Sequence, residues 1–93
     1  MRAVGLADIE LAVRVLLAVP EAQRPALMAE LLSRADTADR YRKRLGRMHP
    51  AFGSGTLASA AGFLTAAPRP ARIDGVVLAT YRMVLEALIH RSA

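Results

Sequence analysis

The chain has 93 residues, enough for one domain and too few for two. Hydrophobic residues make up 54% and charged residues 23%, a balance that excludes wholesale disorder, and the absence of cysteine excludes disulfides, thiolate catalysis and cysteine-bearing zinc sites. The net charge of +5 turns attention to anionic partners.

The first predicted helix opens at Asp8, read as an N-cap. Glu10 lies in its first turn, and Ile9, Ala12, Val13, Leu16 and Leu17 recur at three- and four-residue spacing. Glu10 and Arg14, four apart with the acid first, are expected to pair on a narrow polar strip, and Pro20 ends the helix. So apolar a helix belongs at the centre of a core or is shared with another subunit. The longest apolar stretch, 11–19, is broken by Arg14 and falls short of the roughly 20 residues a membrane span needs. Asp8 and Glu10 interrupt the segment that follows Arg2, so no cleavable export signal is read and a cytoplasmic location is expected.

Pro20 and Pro25 suit first-turn positions, so a second helix starts between them, after a separate turn, and runs to Leu45 with Gly46 as its stop. Leu27, Met28, Leu31, Ala35, Ala38, Tyr41 and Leu45 share one side of it, and Arg40, Lys43, Arg44 and Arg47 the opposite side. Arg42 falls close to the apolar stripe, where its stem can pack. Residues 46–55 carry loop signals throughout, and His49 before Pro50 is biased to extended backbone. Ser54 or Thr56 then caps a short third helix, from Leu57 to about Ala66, and residues 67–72 read as a stiff linker. Asp74 caps the fourth helix, with Val77, Leu78, Tyr81, Val84, Leu85, Leu88 and Ile89 as its apolar face and Arg82, Glu86 and His90 as its polar one. No segment alternates as a strand does. The expected fold is all-α, a compact bundle of about four helices forming one domain over 1–93, with a Gly/Pro-rich loop between helices 2 and 3. Helix 2 is expected as its spine, and helices 1 and 4 as the main source of core.

No acidic residue lies between Asp39 and Asp74, whereas seven of the thirteen bases do, so the rest of the chain carries six bases against all eight acids. Arg40, Lys43, Arg44 and Arg47 are therefore candidate polyanion-binding residues, because neutralising phosphates releases condensed counterions. The competing reading is structural: cations favour a helix C-terminus, and Asp36 with Arg40 and Asp39 with Lys43 are spaced to pair. A helix-turn-helix is disfavoured by the long connection and the Ala/Gly-rich third helix. Single-strand stacking is disfavoured because only Tyr41 lies near the basic run, with Phe52 in the loop. Backbone contact without base readout is the mode left for nucleic acid. Attachment to an anionic membrane surface fits poorly, since the apolar face of helix 2 is needed for the core.

Gly53, Ser54, Gly55 and Thr56 form a candidate anion-binding loop before a helix, although helix capping and a tight turn account for them equally well. His49 and His90 lie far apart with no acid near His49, so no metal is expected, and no cofactor motif occurs. Ser33, Ser54, Ser59 and Ser92 are scattered, and the acids of helix 2 have bases four residues away; these residues do not read as an enzyme.

The segment from Ala35 to Pro50, followed by Gly53, Gly55, Thr56 and Leu57, resembles a short family of uncharacterised helical proteins from alphaproteobacteria. The resemblance implies a bacterial cytoplasmic origin and transfers no functional residues. A domain this small buries only about 60% of the surface its unfolded chain exposes, and large apolar side chains recur on nearly every segment. The expected function is a non-enzymatic adaptor or regulatory role through helix-mediated self-association or partner binding. The alternative is sequence-tolerant nucleic-acid binding by the basic half of helix 2.

Overall fold

The computed structural model describes residues 1–92. Four helices follow in order: α1 (Leu6–Leu17), α2 (Arg24–Leu45), α3 (Leu57–Ala61) and α4 (Gly75–Ser92), with a single 3-10 turn at Glu21–Gln23 before α2. The described residues contain no strand, only an isolated bridge between His49 and Gly53. Among the described residues no helix is long and apolar enough to cross a membrane. The radius of gyration is 13.0 Å, the value of a compact chain of about 100 residues.

The centre of the bundle is α1, which touches all three other helices. It supplies Ala12, Val13, Val15 and Leu16 to a core completed by Met28 and Leu31 of α2, Leu57 and Ala61 of α3 and Val84 of α4. The 22-residue α2, expected as the spine, is the longest element and also touches the other three helices, but it gives this core two residues to the four of α1. The reason lies in the α1 side chains: residues that are apolar around most of a helix must be covered on most sides, whereas α2 needs only one face covered.

The helix starts differ from expectation at one end. Helix α1 begins two residues before Asp8, with extended Gly5 as its N-cap. Asp8, at the third helical position, reaches back to accept from the Gly5 amide at 2.8 Å. Its other oxygen accepts from the Ala58 amide at 2.8 Å, so one carboxylate satisfies orphan donors at the starts of both α1 and α3. Gly46, with φ of 71°, stops α2 by donating to the Arg42 carbonyl, and Asp74 caps α4 through the Val77 amide at 2.9 Å. Thr56 caps α3 through the Ser59 amide at 3.0 Å.

Helix α3 ends at Ala61 instead of near Ala66, because Gly62 closes it and the chain then turns through a bond from the Leu64 amide to the Ala61 carbonyl. The following segment runs back along α1. Ala67 donates its amide to the Arg14 carbonyl at 2.9 Å, and Arg14 Nε returns a bond to the Ala67 carbonyl at 2.8 Å. The expected pair of Glu10 with Arg14 is therefore not made; Glu10 takes Arg69 instead, at 2.6 Å. The polar strip of α1 is the seat of this linker.

On α4 the predicted apolar face is wider than the core can cover. Val77 and Val84 are buried and Tyr81 and Leu88 pack beside them, but Leu78, Leu85 and Ile89 stand exposed at 58%, 41% and 68%. Thr80 is buried in their place; its hydroxyl donates to the Val76 carbonyl at 2.8 Å, which removes the cost of hiding it.

Replacing Asp8 by Ala leaves the Gly5 and Ala58 amides without acceptors and is expected to destabilise the fold by about 1–3 kcal/mol. Asp8→Asn, which keeps one acceptor oxygen, is expected to lose less. Denaturant midpoints of the two variants, taken with unchanged m-values, check the order.

Candidate functional site

The residues singled out for chemistry lie in two regions, the C-terminal half of α2 with the loop that follows it, and the start of α3. Two carboxylates of α2 face inward across the first. Asp39 is 3% exposed, and its Oδ2 takes Lys43 at 3.0 Å and the Met1 α-amino group at 3.2 Å. Asp36 Oδ1 takes the same amino group at 2.6 Å and also Arg91 of α4. The hydrogen bond from Lys43, with those from the amino group, holds the Asp39 carboxyl below its ordinary range against the opposing effect of burial. For Asp36, partial burial pushes upward but the bonds from Arg91 and the amino group outweigh it, and the net shift is also downward.

These contacts decide what happens to the bases. Asp39 and Lys43 pair as their spacing predicts, whereas Asp36 turns to Arg91 and leaves Arg40 alone. Among the described residues Arg40, Arg44 and Arg47 form no ion pair, and all three are exposed. Arg42 is half-buried, with its Nε sequestered from acceptors. Of the four candidate polyanion-binding residues, three thus keep an unneutralised charge and Lys43 is engaged.

The loop after α2 folds back on the same helix. His49 exchanges both backbone bonds with Gly53, at 2.8 and 3.0 Å, and its Nδ1 accepts from the amides of Ala51 and Phe52 at 3.0 and 3.1 Å. An Nδ1 that accepts leaves the ring hydrogen on Nε2. The ring stacks on Phe52, centroids 4.7 Å apart and nearly parallel, and meets Tyr41 of α2 edge-on at 4.8 Å. Arg34 lies over the Phe52 ring at 5.3 Å. This aromatic cluster was invisible in the sequence, where Tyr41 stood apart from Phe52. The one local signal was His49 before Pro50, which marks a turn tight enough to bring the chain back.

Gly53, Ser54, Gly55 and Thr56 do converge on a helix start, and their polar groups are turned to internal partners. The Gly53 amide donates to the His49 carbonyl, the Ser54 amide to the Ser59 hydroxyl, and the Gly55 carbonyl accepts from the Arg2 amide. The negative charge at this helix start is the chain's own Asp8. Gly55 has φ of 96°, and a Cβ there would stand 2.7 Å from Asp39 Cα, so the loop presses its backbone against α2 where a side chain cannot fit. His90 lies on exposed α4, remote in the chain from His49. Among the described residues no group of three or more His, Cys, Asp or Glu side chains is placed to hold a metal.

Two open grooves flank α2 and α4. One, of about 590 Å³, lies between the N-terminal residues and α4 and is lined by Val4, Ile9, Leu85, Leu88 and Ile89 with Arg91. The other, of about 580 Å³, is lined by Thr37, Arg40, Tyr41, Arg44, Leu45 and His49.

These features define a small all-α bundle built around a buried central helix. Residues 2–88 match a family described as a domain of unknown function, DUF7742, and the chain belongs to that family. No curated protein and no solved structure shows significant similarity to it.

Two outcomes follow from the α2 contacts. Because the folded-state pKa values of Asp36 and Asp39 lie below the unfolded value of about 3.9, their stabilisation is complete above that value and is lost as pH falls through the folded values. Asp39→Asn should therefore flatten the acid limb of a stability–pH curve while lowering its neutral plateau, as read by urea denaturation at stepped pH. Gly55→Ala is expected to cost more than about 1 kcal/mol, since it combines positive φ with a backbone clash.

Proposed function

We propose that this protein is a non-enzymatic adaptor or regulatory module that works by self-association, with the outer flank of α4 as its contact face. The observation that carries the reading is the row Leu78, Leu85 and Ile89, three large apolar side chains between 41% and 68% exposed on one side of a helix. Val4, itself 38% exposed, continues this surface across the groove beside Leu85 and Ile89. Covering such a row removes apolar area from water at roughly 25 cal/mol per Å². A second copy offers the same row, and a two-fold axis along α4 brings like against like in an isologous contact. Leu6 of α1 and Leu45 of α2 are exposed as well, but only on α4 do several large apolar side chains fall in a row on one side of a described helix. The resemblance of residues 35–50 to helical proteins of alphaproteobacteria supports a bacterial, cytoplasmic setting for this association.

Light scattering coupled to size exclusion tests the reading. A dimer mass is expected at micromolar concentration, with Leu85→Asp and Ile89→Asp each weakening association at least about tenfold while far-UV circular dichroism keeps its helical signal. A wild-type protein that remains monomeric at micromolar concentration overturns it.

A further inference from the structure

We infer that the groove on the C-terminal half of α2 is a binding site for single-stranded nucleic acid, independent of the α4 face. Its lining is Thr37, Arg40, Tyr41, Arg44, Leu45 and His49. Arg40 and Arg44 stand one helical turn apart, about 5–6 Å, on the same face. That spacing suits successive phosphates of an extended strand. Exposed Arg47 follows just beyond Gly46 and extends the run of bases.

Charge complementarity argues for the occupant. An exposed arginine row beside two aspartates would ordinarily be neutralised from within. Here both aspartates are spent elsewhere, Asp36 on Arg91 and the amino group, Asp39 on Lys43 and the amino group. Arg40, Arg44 and Arg47 keep their charges without an internal carboxylate among the described residues. Guanidinium groups suit phosphate because their planar donors can meet two oxygens at once.

The floor of the groove separates a single strand from a duplex. Tyr41 and 50%-exposed Leu45 give it an apolar base, and His49 lines it beside them. A duplex keeps its bases stacked inside and presents phosphates alone to such a surface. An unpaired strand can lay a base on the floor while its phosphates meet the rim. An acidic peptide would supply charge without a flat ring for that floor.

Fluorescence anisotropy with a labelled oligothymidylate of about 15 nucleotides tests this, using the full chain at about 50–200 mM salt. Binding is expected to tighten as salt falls, with the log–log slope of affinity reduced by about 0.7 in Arg44→Ala. Exposed Arg72, which has no ion pair among the described residues, is the matched control, and Arg72→Ala should leave the slope unchanged. Leu45→Ser should narrow the preference for the single strand over a duplex of equal length. Circular dichroism confirms that the variants, all at exposed positions, keep their helices. Equal effects of Arg44→Ala and Arg72→Ala overturn the site, as does absence of binding at the lowest salt. A duplex binding as tightly as the single strand, or displacement by polyglutamate at equal charge, overturns the assigned ligand.

Discussion

The rest of the structure follows from the need to hide a 12-residue helix on nearly every side. Four of the nine residues that form the buried core come from α1. Three helices surround it, and the segment after α3 lies along the polar strip that remains. Arg14 and Glu10 bind Ala67 and Arg69, so the hydrophilic side of α1 carries the linker as well. A domain this small cannot cover every apolar side chain, and part of what stays uncovered lines the outer side of α4.

A second allocation concerns charge. The carboxylates nearest the basic run turn inward, where they neutralise groups brought from both ends of the chain: the amino group at Met1 and the guanidinium of Arg91. Burying Asp39 is costly in isolation, and the cost is offset only because two cations reach the same oxygen. The outcome is a molecule with an apolar side on α4 and a cationic side on α2, each left over from a different internal requirement.

What was legible in the sequence was whatever depends on neighbours a few residues apart. Pro20, Gly46, Thr56 and Asp74 mark helix ends through backbone chemistry that acts locally, and all four ends fall where that chemistry puts them. Lys43 likewise pairs with the acid one turn before it. Partners at long range were not legible. Arg14 meets an acceptor 53 residues away and Arg91 one 55 residues away, and nothing in the local spacing of Glu10 or Asp36 distinguishes these from the nearby arginines. Asp8 reads as an N-cap from its neighbours, yet it sits in the first turn behind Gly5, where its carboxylate serves the starts of two helices, the second 50 residues on. The α4 stripe was read at its full width because periodicity measures which residues share a side, not how much of that side a neighbour can cover. The aromatic cluster at His49 stayed hidden for a related reason: it exists only once the loop has folded back on Tyr41.

The clasp between Arg14 and Ala67 has a consequence for how the bundle opens. Pro68 and Pro70 possess no amide hydrogen, so within this stretch Ala67 carries the backbone hydrogen that is bonded across to α1. Its exchange with solvent deuterium reports one event, the lifting of the strap from the central helix. A single resonance in a spectrum thus becomes a gauge of partial opening that leaves the four helices intact.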